Sequence, residues 1–165
     1  MNRIYLKLYF IISAACFTLL PSLEASNNKL FYDAVRAEAS GDLVKAVDIY
    51  CDKVGLGNNV KISMSWFNVL EKGQSVNLHR HEVSVLSAAY YVKADKDSAG
   101  LNFKSPIDPY RMHEYFVKNT EYNVKNVEVA CEQGTLYLFP SWLEHYTNPN
   151  QTDKRITISF NTMYV

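Results

Sequence analysis

From Val60 onward the chain is cut into short β-rich runs separated by turn formers, and this pattern restricts the fold more than any other feature. The runs are Lys61–Leu70, Ser75–His81, Val83–Val92, Leu101–Lys104, Val124–Ala130, Thr135–Phe139 and Arg155–Tyr164. Glu71-Lys72-Gly73, Asp95–Gly100, Gln133-Gly134 and Asn148–Asp153 lie between them. Val, Ile, Tyr, Phe and Thr suit a pleated, half-buried surface, and Gly, Asn and Asp suit the turns. Seven or eight such strands in 165 residues predict a mainly β protein, a jelly roll closed from two antiparallel sheets.

Ahead of these runs, Ser26 to about Val54 reads as helical. Leu30, Phe31, Val35 and Ala37 form one apolar stripe and Leu43, Val44, Val47, Ile49 and Tyr50 a second, with Ser40-Gly41 between them. The expectation is N-terminal helices packed on one sheet. The last strand shows why a cover is needed. Arg155, Thr157, Ser159 and Asn161 share one face, opposite Ile156, Ile158 and Phe160. If the polar set lines a cavity, the apolar set requires a partner on the outside.

Residues 1–25 carry two readings. Arg3 and Lys7 precede an apolar run, Leu8–Leu20, followed by Pro21 and Leu23-Glu24-Ala25-Ser26. That is the pattern of a signal peptide cut after Ala25. The alternation of Tyr5, Lys7 and Tyr9 with Ile4, Leu6 and Leu8 equally suits an N-terminal strand. The run is too short to span a bilayer as a helix. Residues 26–165 show no repeat, low-complexity tract or linker, and are expected to form a single domain.

Seventeen Lys and Arg balance seventeen Asp and Glu. No positive excess exists to neutralise phosphates, so nucleic acid is not an expected partner. The three cysteines, Cys16, Cys51 and Cys131, form no CxxC pair, which argues against a thiolate zinc site or a disulfide scaffold.

Chemistry is concentrated in the histidines. His79 and His81 stand at i and i+2. On a strand that spacing puts both imidazoles on one face, with Cα atoms about 6–7 Å apart. His145 follows 64 residues later, after Phe139-Pro140-Ser141-Trp142-Leu143-Glu144. A close pair plus one distant ligand is how a β-barrel builds a metal site with open positions. The bland alternative is an exposed His-x-His on an edge strand and a solvated loop histidine. The fourth histidine, His113, receives no role. Arg155, ten residues after His145, and Thr157, two further on, put a guanidinium and a hydroxyl on one face. Aimed into a small barrel, they form a receptor for a carboxylate.

Taken together, these segments resemble the Fe(II)/2-oxoglutarate-dependent dioxygenases, in the prolyl-hydroxylase-like branch and the small bacterial and phage group within it. The likeness is carried by Ser65-Trp66-Phe67-Asn68-Val69, His79-Arg80-His81, Ser87-Ala88-Ala89-Tyr90-Tyr91-Val92, Leu101–Pro106, Gly134–His145 and Arg155–Asn161, in the family order. The resemblance implies a double-stranded β-helix with Fe(II) held by His79, His81 and His145. It implies that Arg155 and Thr157 hold the distal carboxylate of the cosubstrate 2-oxoglutarate, with Tyr90 near the same carboxylate and Asn68 near the metal-bound end. The implied reaction is hydroxylation of a small-molecule or peptidyl substrate with release of succinate and CO2. The loop Asp95–Gly100 and the insert Pro106–Tyr122 are expected to border the pocket.

His81 departs from the usual His-x-Asp or His-x-Glu pattern. Two other readings therefore stay open. One is a cupin-like three-His protein, either a thiol dioxygenase or a metal-dependent hydrolase, that does not use 2-oxoglutarate. The other is a non-catalytic jelly-roll binding protein. Fe(II) and 2-oxoglutarate chemistry favours a reducing compartment, so a cytoplasmic location is expected, with export through a signal peptide ending near Ala25 as the alternative.

Overall fold

A computed structural model describes residues 6–8, 35–37, 43–57, 59–111, 115–118, 120 and 123–165. Two antiparallel sheets form the jelly roll. The strands are β1 (Leu6–Leu8), β2 (Val35–Ala37), β3 (Val60–Glu71), β4 (Leu86–Lys93), β5 (Leu101–Lys104), β6 (Asn126–Val129), β7 (Leu136–Pro140), β8 (His145–Thr147) and β9 (Lys154–Tyr164), and one helix, α1, spans Leu43–Val54. The larger sheet runs β3-β9-β4-β7 and the smaller β6-β5-β8, so from β6 to β9 successive strands alternate between the sheets, as in a double-stranded β-helix. β1 and β2 pair separately, with Leu6 opposite Ala37.

β4 and β7 show how period-two alternation fills two layers. Leu86, Leu136 and Leu138 face α1, where they meet Ala46, Val47, Tyr50, Cys51 and Phe160. Ala89, Tyr91, Tyr137 and Phe139 face the other way and pack with Leu101, Phe103, Val129 and Leu143 between the sheets. Strands buried on both faces read as near-continuous apolar runs, which is how Leu136-Tyr137-Leu138-Phe139 reads. The buried positions 46, 47, 50 and 51 lie on one face of α1. The helix stops where Gly55 takes φ +75°. The Leu56 amide then donates to the Cys51 carbonyl at 2.8 Å and the Gly55 amide to that of Asp52, the paired closure that a left-handed glycine permits.

Two expectations about the fold are corrected. Val35–Ala37, placed in a first helix by periodicity, is a strand, and a single helix rather than two covers the sheet among the described residues. Its three residues fit either period, and pairing with β1 decides. Ser75–His81 is not a strand. It contacts the 141–147 segment through an isolated His79–His145 bridge, the His81 amide on the Ser141 carbonyl and the Thr147 amide on that of Val76. Cys51 and Cys131 are free thiols in different layers. His113 and residues 1–25 other than Leu6–Leu8 lie outside the described residues, so the signal-peptide reading falls there too. Among the described residues no helix is long and apolar enough to cross a membrane.

The inside-out character of β9 is clear. Arg155, Thr157, Ser159 and Asn161 are all buried, while Ile158 is 37% exposed. A strand that buries its polar face points at a polar cavity.

Candidate metal centre

His79, His81 and His145 converge although their segments are not one regular sheet. His79 and His145 exchange both backbone hydrogen bonds, at 3.0 and 2.9 Å, which brings their rings to a centroid distance of 4.2 Å. The His81 amide donates to the Ser141 carbonyl at 3.0 Å, and its ring lies 5.0 Å from His79 and 5.4 Å from His145. One nitrogen from each ring lies within 4.8 Å of the other two. His145 is buried and the other two half-buried.

Hydrogen bonds orient two of these rings. Nδ1 of His79 lies 2.8 Å from the Asn77 carbonyl oxygen, and Nδ1 of His145 lies 2.8 Å from that of Leu143. A carbonyl oxygen only accepts, so each Nδ1 carries the proton and each Nε2 keeps a lone pair for a metal. Burial also disfavours the charged form of two rings, His145 and His81. It lowers the pKa of His145 to about 4, with the Leu143 hydrogen bond opposing and the neighbouring rings adding a smaller push down. Burial, then the charge of His79, lowers that of His81. Phe139 packs against His145 at 4.8 Å and Trp66 against His81 at 5.7 Å, forming the apolar walls of the centre.

The three rings and Arg155 line one cavity, together with Asn68, Thr157 and Ser159. Arg155 is 4% exposed. Its Nε and Nη1 have no hydrogen-bond partner among the described residues, and its guanidinium lies over the Tyr91 ring at 4.9 Å. A buried cation with unanswered N–H groups beside a hydroxyl is a receptor for an anion. Asn68 donates from Nδ2 to Ser159 Oγ at 3.2 Å on the cavity wall.

Tyr90 is elsewhere. It points to the α1 side of β4 and packs on that core, while Tyr91, one residue on, lies under Arg155. Cross-strand pairing fixes this parity: Tyr91 stands opposite Thr157, and Ser87 opposite Asn161. Neither expected border loop lines the cavity through its described residues. Asp95–Gly100 is instead bound to the 150–152 turn, through Ser98 Oγ with Thr152 Oγ1 and the Ala99 amide on Asn150 Oδ1. Beyond the expected residues, the cavity recruits Trp66, Ser87 and Phe139. Cys131 is no rival ligand. Burial pushes its thiol up to about 12 despite the nearby Arg155, so it stays protonated.

The family model described as "Putative 2OG-Fe(II) oxygenase" matches residues 64–161, more than half of the chain. The chain belongs to this family. Fe(II) and 2-oxoglutarate are the family's cofactor and cosubstrate. Three imidazoles suit Fe(II), and the unanswered N–H groups of Arg155 suit a carboxylate, so the residues present fit both. No curated protein matches the sequence. Solved structures share the fold at low identity. A 2OG-Fe(II) oxygenase family oxidoreductase from Burkholderia pseudomallei is 14% identical with a TM-score of 0.56, over 87% of this chain and 59% of its own. AviO1 from Streptomyces viridochromogenes is 16% identical with a TM-score of 0.52, over 79% and 62%. The non-heme monooxygenase ThoJ, in a nickel complex, is 13% identical with a TM-score of 0.51, over 74% and 49%. The chain thus spans about half to three-fifths of the length of these family-like structures.

Proposed function

We propose that this protein is an Fe(II)- and 2-oxoglutarate-dependent dioxygenase that hydroxylates a small-molecule or peptidyl substrate and releases succinate and CO2. The observation that carries the proposal is the buried Arg155, with Nε and Nη1 unanswered among the described residues, on the wall of the cavity that the three histidines line. A three-His centre with no oxoacid to bind has no use for a buried, unpaired guanidinium, which costs folding energy.

In this proposal His79, His81 and His145 hold the iron, with ring orientations set for two of them by the Asn77 and Leu143 carbonyls. The bound metal supplies the oxygen chemistry, coupling oxidative decarboxylation of 2-oxoglutarate to insertion of one oxygen atom into substrate. The chain's own residues bind and orient. Arg155 receives the distal carboxylate with charge-assisted hydrogen bonds, and Thr157 adds a hydroxyl beside it. Tyr91 holds the guanidinium from behind, so the fork faces the cavity. Trp66 and Phe139 exclude water from the rings, which strengthens each polar contact inside.

The test is anaerobic reconstitution with Fe(II), then oxygen and 2-oxoglutarate. One iron per chain and succinate formation are expected, and His79→Ala is expected to lose stoichiometric iron. Iron binding without any 2-oxoglutarate binding would favour the cupin-like reading, for which the His81 ligand speaks. Full iron occupancy in His79→Ala would refute the ligand set. We also propose a reducing cytoplasm as its location, where Fe(II) and 2-oxoglutarate are supplied. A mature protein beginning near Ser26 in a periplasmic fraction would overturn that.

A further inference from the structure

His81 lacks the device that His79 and His145 share. Its Nδ1 is met by the side-chain carboxamide of Asn161, with Nδ2 3.3 Å away, and not by a backbone carbonyl. An amide nitrogen only donates. In this arrangement Nδ1 accepts, the neutral ring carries its proton on Nε2, and that nitrogen offers no lone pair to a metal. The other end of the carboxamide is engaged as well. Ser87 Oγ donates to Asn161 Oδ1 at 2.8 Å and lies 2.8 Å from Ser141 Oγ. Ser141, Ser87 and Asn161 are 0%, 2% and 3% exposed, so water does not relieve them.

No link in this chain has a fixed direction. A hydroxyl donates or accepts, and a carboxamide exchanges its oxygen and nitrogen by a half-turn. Run from Ser141 towards His81, the donors leave the ring protonated at Nε2. Reversed, His81 Nδ1–H donates to Asn161 Oδ1, Nδ2 donates to Ser87 Oγ, and Ser87 donates to Ser141 Oγ. Each of these links is kept, and His81 Nε2 gains its lone pair. The two senses keep the same three links, the reversed one leaving only the Ser141 hydroxyl proton to turn to another acceptor, and they differ completely in whether the third imidazole can bind metal.

We propose that Asn161 is a positioning residue that sets the tautomer of His81 through the reversible chain Ser141–Ser87–Asn161, so that metal loading and reversal of the chain occur together. The inference rests on the metal centre proposed above. An aspartate at position 161 only accepts, and so holds the ring in the metal-binding tautomer without metal. A leucine fills similar volume and holds neither.

The experiment uses the full chain and Zn(II) alone as a diamagnetic probe. Ring nitrogen resonances of the histidines are followed by 15N NMR at pH 8, zinc affinity by chelator competition, and melting temperature in parallel. In metal-free wild type His81 is expected to carry its proton on Nε2 and the other two rings on Nδ1, and zinc moves His81 alone to the Nδ1–H form. Asn161→Asp is expected to show Nδ1–H on His81 before zinc is added, and to bind zinc at least as tightly as wild type. Asn161→Leu is expected to weaken zinc by about 10- to 100-fold, the usual effect of losing an outer-shell partner. A metal-free wild type already Nδ1-protonated at His81 would overturn the proposal, and this needs no variant to fold. Wild-type zinc affinity in Asn161→Leu would also overturn it. Absence of zinc binding by wild type would instead overturn the metal centre itself.

Discussion

Arg155→Met separates what the guanidinium does for binding from what it costs the fold. In the ligand-free protein Arg155 is 4% exposed, with Nε and Nη1 unanswered among the described residues. The Tyr91 face at 4.9 Å is a partial compensation, and a desolvated cation–π contact returns about 2 kcal/mol. Taking a charge out of water costs several kcal/mol even after relaxation. Methionine has similar reach and no charge, so the ligand-free variant is expected to be more stable than wild type by about 1–3 kcal/mol, as when other buried charges give way to apolar groups. At roughly 2–4 °C per kcal/mol for a chain of this size, the melting temperature rises by a few degrees.

Binding moves the other way. Truncating one partner of a buried charge pair costs about 2–5 kcal/mol, which is roughly a 30- to 4,000-fold weaker cosubstrate at about 1.4 kcal/mol per decade. A ligand at about 100 times its Kd stabilises the native state by about 2.7 kcal/mol, so 2-oxoglutarate is expected to raise the wild-type melting temperature by about 5–11 °C. At the same concentration the variant retains at most about 0.9 kcal/mol of that effect. The assay is a thermal melt of manganese-loaded protein without oxygen, with and without 2-oxoglutarate. A variant that melts well below wild type without ligand, yet shows the full wild-type shift with it, would refute the reasoning and make Arg155 a structural cation.

Three further outcomes are expected. His81→Asp supplies the commoner carboxylate ligand and should keep stoichiometric iron by metal analysis; loss of both iron and 2-oxoglutarate turnover would tie the third imidazole to a different chemistry. Acid should destabilise the metal-free protein: the folded-state pKa of His145 is lowered to about 4 by burial, so the unfolded chain takes up the proton first. That contribution, roughly 3 kcal/mol, is complete above about pH 6.5 and lost as pH falls through that value to about 4; urea midpoints unchanged between pH 8 and 4 would contradict it. Gly100→Ala should destabilise by about 1–3 kcal/mol, because a Cβ there would stand 2.4 Å from the Val129 carbonyl oxygen; a wild-type melting temperature would show that β5 and β6 part freely.

The residues that line the cavity were more legible than the contacts they make, and β9 and the histidines show why. Alternation is local, so the polar face Arg155, Thr157, Ser159 and Asn161 is visible in the sequence, and its burial against an exposed Ile158 follows from it. The His-x-His pair was also legible, but for a reason the fold does not use. The rings meet because His79 bridges His145 and His81 is pinned to Ser141, and not because they share the face of a strand. Tyr90 and Tyr91 show the limit most plainly. Two adjacent tyrosines serve opposite layers, and which one lies under Arg155 depends on the register of β4 against β9. A one-residue slip exchanges the two faces entirely, and nothing in either segment alone fixes it. The Asn161–His81 contact spans 80 residues and the Ser87–Ser141 contact 54. Chain-local patterns therefore say which side chains turn inward, while the hydrogen-bond partner that decides a ring's tautomer is a property of the closed barrel.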